Sequence, residues 1–428
     1  MNLSPRYYIE KNRNNVHLRQ ASSLFIWNLI GLPLTMGVNI IITRYMGAQS
    51  YGDYLYVQRV FEFTFVIVNF GLFRSLNRTI LLTEDEEEKR ELYGTGFILW
   101  SGISLIAVVG LYLFAVFSPN VSEKGIYTLF LFVIPFCSIY FMNHLYEQVL
   151  PANNRIDLLI KQRYYPKIGL VVCSAIIYLL FNDKGLNPII VVWVFFLSTN
   201  LLFYLNVAIR LKPSFKNLRK RIRDVFTKNK EYGSKVYVGD LFSIAFNYLL
   251  PLLISEFSTD NSTVGFYALA LMICSPMNFI PNVLTTSHYR ELSKKKKIPG
   301  KLFKTTLLSS FGCLLLLWIL ITPFVKFFYT AEYEPVIMLT IVTSIGTFLY
   351  GFSDFISRYL TSQGDGVALR NSSFIVGFST LALSFILIPR YNATGAAWTH
   401  VLAGLIYAIV IMCYYRRCVK RNELIQTK

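Results

Sequence analysis

The stretch Arg210-Leu-Lys-Pro-Ser-Phe-Lys-Asn-Leu-Arg-Lys-Arg-Ile-Arg-Asp-Val-Phe-Thr-Lys-Asn-Lys-Glu-Tyr-Gly-Ser-Lys235 holds ten lysines and arginines and divides the chain almost in half. On either side the sequence changes character, and long apolar runs alternate with short polar segments. A helix needs about 20 apolar residues to cross roughly 30 Å of hydrocarbon. Counting outward by that rule gives six spans before the basic stretch, at 21–43, 55–73, 94–117, 126–147, 168–182 and 187–209. Six more follow it, at 236–256, 264–286, 305–327, 336–357, 371–389 and 395–415. The expected fold class is therefore an all-α integral membrane protein of about twelve transmembrane helices. Its expected organisation is an N-terminal six-helix lobe (1–209), a basic cytoplasmic linker (210–235) and a C-terminal six-helix lobe with a short cytoplasmic tail (236–428).

Composition agrees with this reading. The chain of 428 residues is 54% hydrophobic and only 15% charged, against about 25% charged in soluble domains. The net charge of +18 would suit nucleic acid in a soluble protein. Here it is explained by basic loops kept on the cytoplasmic side, and no nucleic-acid partner is expected. With both termini cytoplasmic, 36 of the 42 basic residues fall on the inside. One missed span would invert every later loop, so the bias supports the count as well as the sidedness. The intervening outer segments, 44–54, 118–125, 183–186, 257–263, 328–335 and 390–394, are all short. A membrane transferase or polymerase acting on lipid-linked sugars needs a large external loop and a catalytic cluster, and neither is present. No GxSxG, HExxH or GxxxxGK[ST] pattern occurs, the six cysteines show no CxxC spacing, and no metal or cofactor is expected.

A weak internal repeat appears at an offset of 213 residues. Tyr51-Gly52-Asp53-Tyr54 precedes the second span, Val264-Gly265-Phe266-Tyr267 opens the eighth, and Asn69 corresponds to Asn282. Because each half has an even number of spans, the two halves are parallel.

Polar residues inside spans are costly and generally face a cavity. In the second span Arg59 and Glu62 sit three apart on one face. Arg59 reads either as an attractor of an anionic phosphate or as half of a structural pair with Glu62. Asp240 in the seventh span reads either as a coupling-cation or proton site or as a helix cap. Asp354 and Arg358, four apart in the tenth span, read as a structural pair, and His400 as a hydrogen-bonded structural histidine. Lys167, at a span end, needs only snorkelling to explain it. Pro33, Pro135, Pro251, Pro276 and Pro281 each remove a helical hydrogen bond, and spans 1, 2, 7 and 8 collect most of them.

Three segments carry a family resemblance. Thr43-Arg44-Tyr45-Met46-Gly47-Ala48-Gln49-Ser50-Tyr51-Gly52 resembles the R-x-L-G-x-x-x-Y-G segment after the first helix of bacterial polysaccharide-unit flippases. Ile388-Pro389-Arg390-Tyr391-Asn392-Ala393-Thr394-Gly395-Ala396-Ala397 resembles the segment before their last helix, and Val264-Gly265-Phe266-Tyr267 their entry to helix 8. Met46 replaces the usual Leu, and Asn392 stands where Gly is common. The chain thus resembles Wzx-type O-antigen or capsule repeat-unit flippases of the multidrug/oligosaccharidyl-lipid/polysaccharide (MOP) exporter superfamily, with a MATE-like fold. The resemblance implies a carrier in the bacterial inner (plasma) membrane, not an enzyme. Its implied cargo is an undecaprenyl-diphosphate-linked glycan, moved between leaflets by alternating access in O-antigen, lipopolysaccharide or capsule biosynthesis, alongside glycosyltransferases and a polymerase. Arg59 becomes a diphosphate contact, and Asn28, Asn39, Asn69, Asn247, Tyr267 and Asn278 become sugar hydrogen-bonders. The alternative within the same architecture is a MATE-type antiporter of cationic drugs or metabolites.

Overall fold

The computed structural model describes residues 16–181, 187–241, 246–292 and 294–424, and every regular element among them is helical. The α-helices are α1 (Val16–Val68), α2 (Leu72–Leu82), α3 (Glu86–Phe117), α4 (Pro119–Glu123), α5 (Tyr127–Val133), α6 (Cys137–Ala152), α7 (Ile156–Phe181) and α8 (Pro188–Leu211). They continue as α9 (Leu218–Lys228), α10 (Ser234–Asp240), α11 (Phe246–Glu256), α12 (Ser262–Cys274), α13 (Phe279–Leu292), α14 (Gly300–Phe328), α15 (Pro335–Ser362) and α16 (Gly366–Leu424).

Among the described residues eight stretches are long and apolar enough to cross a membrane, and two of them, within α1 and α16, run the length of two crossings. Those eight contain ten of the twelve expected spans. The remaining two fall in α7, which carries Lys161, Arg163 and Lys167, and in α10 and α11, between which residues 242–245 lie outside the described set.

The expected loops at 44–54 and 390–394 are not loops. Each is a helix broken at one residue: Gly47 (φ 73, ψ 174) in α1 and Asn392 (φ 49, ψ −128) in α16. The first geometry is essentially restricted to glycine. The second lies at positive φ outside the αL region, where even asparagine, one of the residue types enriched at positive φ, is strained. Beyond Gly47 the helix restarts, and the Ala48 N–H donates to Glu332 Oε2 at 2.9 Å, a carboxylate where the new N-terminus needs an acceptor. The second expected span also ends early, because Phe70 and Gly71 both take positive φ. Pro135 and Pro276 behave as read, each lying in a short 3₁₀ turn (Ile134–Phe136 and Ser275–Asn278) that interrupts a span.

The long helices are apolar on all sides. On α3, Leu99, Ile103, Ala107, Leu111 and Ala115 recur every fourth residue and are buried. Leu105, Val109, Leu113 and Phe117 recur at the same spacing and are exposed, Phe117 to 78%. An apolar stripe of that length facing outward is stable against lipid and not against water; α14 repeats the pattern with Leu308, Ile319 and Phe327.

The chain forms two compact units. Unit 1 comprises Met1–Tyr45, Ile67–Ser118 and Tyr127–Tyr237, and unit 2 comprises Met46–Val66, Pro119–Ile126 and Val238–Lys428. In unit 1 the helix α9 of the basic segment is strapped down by charge. Arg221 bonds Glu91 Oε2 and Glu88 Oε1, both at 2.7 Å, and Asn217 donates to Glu91 Oε1 at 2.8 Å. Further along the same segment Asn229 accepts from Ser75 Oγ at 2.9 Å and donates to the Phe70 carbonyl at 3.1 Å. In unit 2, α15 packs with α16, and Phe355, Ile356, Tyr359 and Leu360 form a core with Leu292, Ile298 and Leu302.

The two glycines matched by the sequence repeat meet in unit 2. A Cβ on Gly52 would overlap the Asn261 carbonyl, and one on Gly265 would lie 3.3 Å from both Cα and N of Gly52. Only a residue without a side chain permits this backbone approach.

Candidate functional site

The polar residues singled out from sequence fall into a group in each unit. In unit 2, Arg59 and Glu62 are held one turn apart by the helical rise of α1, and Arg59 Nη1 lies 2.6 Å from Glu62 Oε2. Gln58 Nε2 donates to the other carboxylate oxygen at 3.1 Å. The guanidinium lies 5.9 Å from the Tyr248 ring centroid on α11. Its side chain keeps 26% of its surface exposed and that of Glu62 keeps 14%, so the pair is only partly withdrawn from its surroundings. A guanidinium is a planar fork suited to phosphate oxygens, and the carboxylate beside it lowers the cost of keeping it charged in an apolar span.

Tyr267 is almost fully buried on α12. Asn278 closes the 3₁₀ turn after α12, and its buried Oδ1 has no hydrogen-bond partner among the described residues. It lies against Gly351, whose missing side chain makes the room. The side chains of Asp240 and Asn247 lie outside the described residues.

In unit 1, Asn28, Asn39 and Asn69 also occupy α1 or its end. Asn28 accepts from the Tyr164 hydroxyl on α7, and Trp27 stacks on the same tyrosine with ring centroids 5.6 Å apart. Asn39 is turned onto its own helix, donating to the Thr35 carbonyl at 2.8 Å. Asn69 follows the last turn of α1, and its buried Oδ1 has no partner among the described residues. Lys167 joins this group, which the snorkelling explanation missed. Its Nζ donates to Thr35 Oγ1 at 3.2 Å and lies 5.7 Å from the Tyr164 ring centroid. A lysine at the end of an apolar span, on the helix facing α1, is the signal that would have placed it.

Outside these groups the outcomes differ. Asp354 and Arg358 do not pair: Tyr407 donates to Asp354 at 3.1 Å, and Arg358 Nη2 donates to Asn282 at 2.7 Å. A four-residue spacing permits a pair, and each side chain finds a partner on another helix instead. His400 is structural as read, stacked on Tyr350 at 4.9 Å and bonded to Thr347 Oγ1 at 3.3 Å. Lys124, unremarkable in sequence, anchors a buried network in unit 2. It bonds the Ser255 carbonyl, Ser255 Oγ (2.9 Å) and Asn261 Oδ1 (3.0 Å), and Asn261 donates to Asp53 at 2.8 Å. Burial pushes the Lys124 ammonium below its ordinary pKa, opposed by the carboxylates of Asp53, Asp260 and Glu256. No cluster of metal-ligating side chains occurs among the described residues.

The fold has relatives among solved structures. An inward closed structure of the lipid II flippase MurJ matches with TM-score 0.70 at 15% identity, covering 93% of this chain and 89% of that one. An inward-facing multidrug resistance MATE family transporter matches at 0.64 and 12%, covering 90% and 95%. A MOP superfamily transporter from Pyrococcus furiosus matches at 0.55 and 13%, covering 93% and 95%. No curated protein sequence matches. The class is thus an all-helical, multi-pass membrane protein with the fold of the MOP exporters. Residues 17–289, more than half of the chain, match the model of the polysaccharide biosynthesis protein family. The chain belongs to that family.

Proposed function

We propose that this protein is a flippase for undecaprenyl-diphosphate-linked oligosaccharide units, carrying them from the cytoplasmic to the outer leaflet of the bacterial plasma membrane by alternating access. The single observation that carries the reading is Arg59 in an apolar helix of a polysaccharide biosynthesis family member, paired with Glu62 yet still part-exposed. A sugar diphosphate cannot enter hydrocarbon unaided, and a guanidinium at membrane depth supplies the counter-charge. Asn278, in the same unit, adds a buried amide oxygen that suits a sugar hydroxyl. In this reading 1–209 and 236–428 are two parallel six-helix halves joined by 210–235, both termini are cytoplasmic, and glycosyltransferases and a polymerase act before and after the transport step. Asp240 is kept as the candidate coupling site.

The test is a chromosomal replacement by Arg59→Ala and Asp240→Ala variants, with surface polysaccharide measured against membrane-inserted protein. Loss of polymer with normal insertion supports the assigned roles, and wild-type polymer in both variants removes them. Glu62, an acid at membrane depth, also fits a cation antiporter of the same fold. That reading predicts that organic-cation resistance, and not polysaccharide, falls in Glu62→Gln.

A further inference from the structure

In unit 1 a cleft of about 240 Å³ opens between α7 and α8, at the ends of those helices that carry the basic residues. Its polar wall is Lys161, Gln162, Asn206 and Arg210, and its apolar wall includes Leu158 and Phe203. Two cations meet there without a carboxylate: among the described residues neither Lys161 nor Arg210 forms an ion pair, although Arg163 nearby is paired with Glu147 at 3.1 Å. Gln162 is buried, only 2% exposed. Its amide is engaged inside the fold, with Nε2 donating to Asn143 and the side chain also bonding the Tyr204 hydroxyl. The cleft therefore offers two positive charges, an amide from Asn206 and an apolar side. On the outer surface of α8, Leu202 is 69% and Ile209 73% exposed, so the cleft borders a surface suited to acyl chains.

We propose that this cleft binds the head group of an anionic phospholipid in the cytoplasmic leaflet. The phosphodiester lies between Lys161 and Arg210, and the glycerol and first methylenes lie against Leu158 and Phe203. Each element answers one feature of the cleft. The charge needs a phosphate, and the position at the basic helix ends places the ligand in the inner leaflet. A phosphatidylglycerol meets both conditions. A phosphatidylcholine has no net charge and fails the first. The proposal rests on neither Arg59 nor the identity of the cargo.

The test uses the purified full chain in detergent micelles, with the thermal unfolding midpoint followed as lipid is added. Phosphatidylglycerol raises the midpoint, and phosphatidylcholine and sn-glycerol 3-phosphate do not. In Lys161→Gln/Arg210→Gln the phosphatidylglycerol concentration for half the effect rises roughly thirtyfold, about fivefold per basic residue removed. Arg219→Gln/Arg223→Gln, equally basic positions on exposed faces of α9, leaves the response unchanged and controls for bulk charge. Should the double variant fold poorly, Arg210→Gln, at an exposed position, raises that concentration about fivefold on its own. Equal stabilisation by phosphatidylcholine, or an unchanged response in both charge variants, overturns the proposal. Stabilisation by glycerol phosphate alone does so too, since it describes an ion site. Displacement of phosphatidylglycerol by undecaprenyl phosphate at equal concentration would make the cargo lipid, and not a resident phospholipid, the source of the phosphate, and overturns the assignment.

Discussion

Two arginines of this chain face carboxylates at short distance, and they are held in different ways. Arg221 on α9 is 8% exposed and meets Glu88 and Glu91 on another helix, 130 or more residues away in sequence, with Asp224 nearby. Desolvation opposes its charge, and the two glutamates outweigh that and raise its pKa. Arg59 on α1 is 26% exposed and meets a carboxylate three residues along its own helix. A pair within one helix contributes nothing to how helices are arranged, whereas a pair between distant segments does. The comparison teaches that long-range, saturated arginine contacts mark structure, and local, part-exposed ones inside an apolar span mark candidates for chemistry.

The largest expected effect is at Arg221. Arg221→Ala strands its carboxylate partners and releases α9 from α3, costing roughly 2–3 kcal/mol. The unfolding midpoint of purified protein falls by several degrees, and transport per folded molecule is unchanged. Arg59→Ala reverses the pattern: the midpoint holds, and glycan transport falls about tenfold or more, as expected when one charge-assisted hydrogen bond to the cargo is removed. If Arg59→Ala were to melt early instead, the two arginines would be alike and the distinction would fail. Arg59→Lys sharpens it, because a lysine keeps the charge without the planar fork. Transport should fall by about threefold, between wild type and alanine. Lys124→Met separates a buried network from both arginines. It leaves Ser255 and Asn261 without that donor and destabilises the fold by about 1 kcal/mol, read as a lower midpoint. The smallest effect is at Tyr407→Phe, which removes one bond to Asp354 and changes stability by at most about 1 kcal/mol.

Much of the architecture was legible because lipid imposes simple rules of length and apolarity. The breaks at Gly47 and Asn392 were not, since one positive-φ residue inside an otherwise helical run leaves no trace in hydropathy. The asparagine in place of glycine was visible as a departure, and its meaning came only with the backbone angle. The Gly52–Gly265 approach was foreshadowed by a repeat too weak to stand on its own. Site residues divided by range. Arg59 and Glu62 pair locally, so their spacing was enough to join them. The partners of Asp354, Arg358, Lys124 and Lys167 lie on other helices, and no periodicity within one segment points there.

The central claim is that Arg59 serves a lipid-linked sugar cargo in a member of the polysaccharide biosynthesis family. The most direct measurement is reconstitution of the full chain in proteoliposomes loaded with undecaprenyl-diphosphate-linked oligosaccharide, scoring how much becomes accessible to an enzyme added outside. The account predicts transbilayer movement above that of empty liposomes, and movement near that background with Arg59→Ala. Background movement with the wild-type chain, in vesicles where it exchanges an organic cation for protons, would contradict it.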